Sequence, residues 1–144
     1  MFITKVVVHL LRNASYMKNK EINPTDSELE ILQILWERKE SRVKEVHEII
    51  NSRKNIKYTT ILKLMQIMHE KGILDRRQEG KSHIYFPLVQ KEDIQEKFLD
   101  KILNSVYKGS TFNLVMSALG NYKASDTELE KIKELIQQQQ NKLK

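Results

Sequence analysis

Residues 58–87 read YTTILKLMQIMHEKGILDRRQEGKSHIYFP. Ile61, Leu64, Met65 and Met68 recur at the i, i+3, i+4, i+7 spacing of one buried helix face, with Thr60, Lys63, Gln66 and Ile67 opposite. The spacing predicts a helix from about Thr59 to Lys71, stopped by Gly72. Ile73–Glu79 and Ser82–Leu88 then read as two strands around the turn Glu79-Gly80-Lys81-Ser82. Arg76, Arg77 and Lys81 crowd the strands and the turn. A helix with a polar, hydroxyl-rich start followed by a basic hairpin is the arrangement with which a winged helix-turn-helix grips DNA.

Working upstream, Pro24 precedes Thr25-Asp26-Ser27-Glu28, which predicts a capping box in which Thr25 and Glu28 satisfy each other's orphan backbone donors. Leu29, Leu32, Leu35 and Trp36 form the apolar stripe of the helix it opens. Ser41 is the expected cap of a shorter second helix, with Val43, Val46, Ile49 and Ile50 on its buried face. A polar, basic linker, Ser52–Lys57, joins it to the third.

Working downstream, three more helices are expected. Ile94, Phe98, Ile102 and Val106 stripe the first, which stops at Gly109; Phe112, Val115, Met116 and Leu119 stripe the second, ahead of Gly120. Ser125-Asp126-Thr127-Glu128 is a second capping box, opening a helix striped by Leu129, Ile132, Leu135 and Ile136. Three short helices bury little surface by themselves. The economical arrangement packs them against a second copy in a closed twofold homodimer. The expected dimerisation residues are Phe98, Ile102, Val106, Phe112, Val115, Leu119, Leu129, Ile132 and Leu135.

The expected fold is therefore mainly α with a small β-hairpin wing. Residues 1–21 form an N-terminal extension, 22–89 a winged helix-turn-helix DNA-binding domain, and 90–144 a helical dimerisation domain. Phe2–Leu11 is apolar but interrupted by Thr4, Lys5 and His9, and it makes a poor signal peptide. Met17 restarts the chain as MKNKEINPTDSELE, an ordinary cytosolic beginning, so a cytoplasmic protein is expected.

Composition narrows the function. A net charge of +6 favours an anionic partner. Aromatics at 7% are too few for a large stacking surface for single strands. The 0 Cys exclude disulfides, thiolate metal sites and a Cys nucleophile. The four histidines, His9, His47, His69 and His83, lack ligand spacing, and His47 and His69 are expected to face solvent from their helices. No GxSxG, Walker A or GxGxxG occurs. We expect neither enzyme activity, nor a metal, nor a cofactor, nor a small-molecule substrate.

The expected partner is a double-stranded DNA operator. Lys57, Tyr58, Thr59, Thr60 and Lys63 sit where the second helix of the motif meets base edges in the major groove. Thr can bond a base or pack its methyl on thymine, and Lys can reach guanine or a phosphate. Arg42 and Lys44 are placed at the start of the second helix to touch the backbone. Arg77, Lys81 and His83 on the wing lie along phosphates or an adjacent minor groove. The alternative is a winged-helix protein-interaction adaptor without specific DNA binding; Lys57, Lys63 and Arg77 argue against it.

PTDSELEILQILWERKESRVKEVHEII, YTTILKLMQIMHEKGIL, DRRQEGKSHIYFPLV and FLDKILNSVYKG, in that order, resemble the BlaI/MecI/CopY (penicillinase repressor) family of bacterial transcriptional regulators. The resemblance runs from about Ile22 to Ile136. It implies a dimeric winged-helix repressor on a palindromic operator. The copper-responsive members use C-terminal cysteines, which this chain lacks. In β-lactam-responsive members a membrane-bound sensor protease triggers cleavage in the C-terminal domain, at an Asn-Phe bond in some. Alignment on Val106-Tyr107-Lys108-Gly109 puts that bond at Ser117-Ala118, where the helix matches and the residue pair does not.

Overall fold

The computed structural model describes residues 22–144. The expected N-terminal extension lies outside the described residues. The elements run α1 (Asp26–Arg38), α2 (Val43–Asn51), α3 (Tyr58–Glu70), β1 (Leu74–Glu79), β2 (Ser82–Pro87), α4 (Lys91–Ser105), α5 (Thr111–Asn121) and α6 (Asp126–Lys142). The chain forms two compact units that divide between Ile94 and Gln95. Three helices followed by a hairpin make the first a winged helix.

Its core is drawn from every element. Ile31, Leu32 and Leu35 of α1, Val46 and Ile50 of α2, Ile61, Met65 and Met68 of α3, then Ile73, Leu74 and Tyr85, are all essentially inaccessible. Each such side chain contributes roughly 1.5–3 kcal/mol by leaving water. The stripe expected on α1 is too narrow. Ile31 and Ile34 are buried, whereas Leu29 and Trp36 are half-buried. The reason is that α1 packs on both α3 and β2, so two of its faces are covered. Trp36 instead sits at the margin, donating Nε1–H to the Val89 carbonyl at 3.0 Å.

Cap chemistry explains the helix ends and corrects two expectations. At Thr25 only half of the capping box forms: Oγ1 accepts the Glu28 N–H at 3.2 Å. The Glu28 carboxylate turns instead to the Thr25 hydroxyl and to Lys71 Nζ, 2.8 Å away at the end of α3. A buried carboxylate is better satisfied by a cation than by a neutral amide. Ser41 does not cap α2; Arg42 occupies that place, without a side-chain cap bond. Ser41 is buried and exchanges both backbone hydrogen bonds with Tyr85, at 3.0 and 2.9 Å. Gly72 ends α3 as expected: with φ 78° it donates to His69, while Ile73 donates to Met68, the Schellman pattern.

The hairpin pairs Leu74 with Pro87 through Glu79 with Ser82, leaving a two-residue turn of Gly80 and Lys81. Gly80 has φ 63°, the left-handed value this turn demands of its first residue.

The second unit is helical throughout. Ser125 and Glu128 complete their capping box at 3.2 Å in both directions. Ser110 caps α5 by accepting from Asn113 at 3.1 Å. Two helix ends differ from expectation. α4 ends at Ser105, so Val106 lies beyond it, because Gly109 at φ 81° closes a turn onto the Leu103 carbonyl. α5 runs through Gly120 to Asn121, since Gly120 keeps a helical φ and breaks nothing. Neither α5 nor α6 has a buried residue.

Candidate nucleic-acid interface

The first two turns of α3 gather five of the expected contact residues. Lys57 is its N-cap residue and Tyr58, Thr59 and Thr60 follow; Lys63 comes one turn later. All five are exposed, and their exposure follows from the pattern that buries Ile61, Met65 and Met68 behind them. Lys57 makes no side-chain cap bond, so amide donors at this helix end stay open to an acceptor.

The linker before α3 is fixed by α2. Asn51 Oδ1 accepts the Ile56 N–H at 3.1 Å, and His47 Nε2 lies 2.8 Å from the Ile56 carbonyl. The His47 ring also meets the Tyr58 ring edge-on at 5.7 Å. His47 is thus half-buried and occupied, not solvent-facing. The same holds for His69, half-buried 3.5 Å from Asp75. Both departures have one cause: each histidine sits at the edge of its helix's apolar face, where a neighbouring element covers it.

The cations divide into two kinds. Lys44, Lys57, Lys63 and Lys81 are exposed and make no ion pair with a described residue. Arg42 and Arg77 are held by carboxylates of their own chain. Arg77 Nη2 lies 2.8 Å from Glu40 Oε1, with Nη1 on the other carboxylate oxygen. Arg42 Nη2 lies 2.9 Å from Glu79, whose carboxylate is also 3.8 Å from Arg77. The Arg77 guanidinium holds the Glu40 carboxyl below the usual carboxylate range, and Glu40 raises Arg77 in return. These four side chains link the wing, the α2 N-terminus and the residue before the Ser41 bridge.

On the other side of the wing, Arg76 Nη1 donates to the Tyr85 hydroxyl at 3.2 Å, and its guanidinium lies 6.0 Å from the ring centre. His83 is half-buried against Tyr85. Its Nδ1 is buried without a hydrogen-bond partner, so that nitrogen is shielded from an approaching phosphate. Among the described residues, no group of three or more His, Asp or Glu is placed to hold a metal ion.

Glu40 and Glu79 are not among the expected contact residues, and nothing beside them in the sequence marks their pairing with Arg77 and Arg42.

The model of the penicillinase repressor family matches residues 24–138. The chain belongs to that family. Among members of the penicillinase repressor family, the methicillin resistance regulatory protein MecI of Staphylococcus aureus (strain N315) is 29% identical over 120 residues, covering 83% of this chain and 98% of that protein. The penicillinase repressor of Bacillus licheniformis is 24% identical over 120 residues, covering 83% and 94%. The solution structure of the DNA binding domain of the repressor BlaI aligns over 51% of this chain and 87% of its own, at 25% identity and a TM-score of 0.45.

The structure leaves Ser117 half-buried and Ala118 exposed, both in the middle of α5. Of the expected dimerisation residues, Phe98 and Ile132 are half-buried, while Ile102, Val106, Phe112, Val115, Leu119, Leu129 and Leu135 are exposed in the single chain.

Proposed function

We propose that this chain is a sequence-specific, double-stranded DNA-binding transcriptional repressor that works as a homodimer on a palindromic operator in the cytoplasm. The observation that carries the reading is the outward face at the start of α3. Lys57, Thr59, Thr60 and Lys63 are exposed there on a helix whose other face is locked into the core. Base contacts come from Thr59, Thr60 and Lys63. Phosphate contacts come from Lys44, Lys57 and Lys81, with Arg42, Arg77 and His83 at the margin. Its relatives' descriptions as a methicillin resistance regulator and a penicillinase repressor support the same reading.

The exposed apolar residues of the second unit, which recur at helical spacing, support self-association, since apolar faces left uncovered usually meet a partner. Repression is occlusion of a promoter, and release follows from weakening the dimer, because one half-site supplies only part of the contact energy. Proteolysis at Ser117-Ala118 by a membrane-bound sensor protease is a second route to release. It requires α5 to open first, since the bond lies within the helix and the Ser117 carbonyl accepts a hydrogen bond from Asn121 Nδ2 at 2.9 Å.

The test is fluorescence anisotropy with a duplex from the gene's own upstream region and a scrambled duplex, each at two salt concentrations. Preference for the first by about 10³-fold or more, with a steep salt slope, is the expected result. Weak, equal binding to both would count against specific DNA binding and favour the adaptor reading.

A further inference from the structure

Arg77 is a cation of the wing, yet it faces an acid. Its guanidinium is matched two-to-two by the Glu40 carboxylate, a geometry that gives a strong, specific contact. Such a pair could serve to place the wing, but the wing is placed by other means. The Ser41–Tyr85 backbone bridge ties β2 to the segment after α1, Leu88 N–H donates to the Ile73 carbonyl at 2.9 Å, and Ile84, Tyr85 and Leu74 are buried. The ion pair lies outside that core. The Arg77 side chain is 29% exposed and that of Glu40 48%. An exposed pair is worth little to stability and is open to exchange.

We propose that Glu40 is a built-in competitor with DNA phosphate for Arg77, and that it limits the sequence-independent part of the protein's affinity for DNA. This rests on the DNA-binding reading above. When the wing meets a duplex, Arg77 transfers its two N–H donors from a carboxylate to a phosphate, both planar or tripodal oxyanions of like charge. Counterion bookkeeping gives the consequence. The phosphate contact releases a condensed cation, but Glu40 stays beside it and its repulsion of the backbone is screened as salt rises, so the Arg77 contact contributes less to the salt slope than an uncompensated cation does. Lys81, which makes no ion pair with a described residue, releases its cation without that offset. The wing thus binds with less indiscriminate grip than its count of basic residues suggests.

The test uses the full chain, a labelled scrambled duplex, and salt from about 50 to 200 mM. Thermal melting first establishes that E40Q is folded. The expected result is that E40Q binds the scrambled duplex about two- to fivefold more tightly, the fold-change an exposed ion pair is worth. Its log–log salt slope should steepen, by at most about 0.9. In the R77A background, Glu40→Gln should bring no such gain. Unchanged affinity and slope in E40Q overturn the proposal, and weaker binding overturns it by making the pair a wing support. A gain that persists without Arg77 also overturns it, because Glu40 would then act only as background charge. A wild-type chain that binds neither this duplex nor its own upstream duplex fails the DNA-binding reading itself, a different outcome from a wild-type chain that binds while E40Q matches it.

Discussion

The two units of this chain use the same kind of amphipathic helix to opposite ends. In the first, α1, α2 and α3 bury their apolar faces against one another and against the hairpin, and among its described residues only Tyr58 stands out as an exposed large hydrophobic. In the second, Leu99, Ile102, Phe112, Val115, Met116, Leu119, Leu135 and Ile136 remain exposed, and α5 and α6 bury nothing. Periodicity marks that a face is apolar; it does not say which surface covers it. The first unit covers its own apolar faces, and the second leaves its faces open to the second copy that the proposed homodimer supplies.

The contrast makes predictions of decreasing size. Leu35→Ala removes a fully buried side chain from the first unit and should cost about 2–5 kcal/mol of unfolding free energy, read by urea denaturation. Phe112→Ala, at 73% exposure, should cost an isolated chain almost nothing but should weaken self-association by about 1–2 kcal/mol or more, read by sedimentation across a dilution series. Equal effects of Phe112→Ala on dilute and concentrated protein would remove Phe112 from the dimer contact. Lys63→Ala should cost about 1–3 kcal/mol of operator binding and relax one base position. Similar losses on scrambled DNA would reassign Lys63 to phosphate. Ser125→Ala should cost about 1 kcal/mol through its cap, and the loss should appear in the second unit's transition alone.

Much of the first unit was legible in local sequence. The i, i+3, i+4, i+7 run of α3 and the Gly72 stop gave the recognition helix within a residue at each end. The Gly80 turn gave the hairpin, because its strands pair across only two residues. What local sequence could not carry was pairing at a distance. Ser41 looked like a cap because serine before an apolar run usually is one; its bridge to Tyr85 spans the three-helix core and leaves no periodic trace. Glu28 was claimed by Lys71 rather than by its own helix start for the same reason. The candidate interface was legible as a set of residue types at the start of α3. Its electrostatic state was not, since Arg77 reads as a free cation until Glu40, 37 residues earlier, is set beside it.

Trp36 is the chain's single tryptophan, and its indole is tied to Val89 within the first unit. The second unit holds no tryptophan, and its near-ultraviolet absorption comes from Tyr107 and Tyr122 with weak bands from Phe98 and Phe112. Selective excitation of the indole therefore illuminates one half of the molecule and leaves the other dark. The intact chain carries its own optical label for following the winged helix, without an engineered fluorophore.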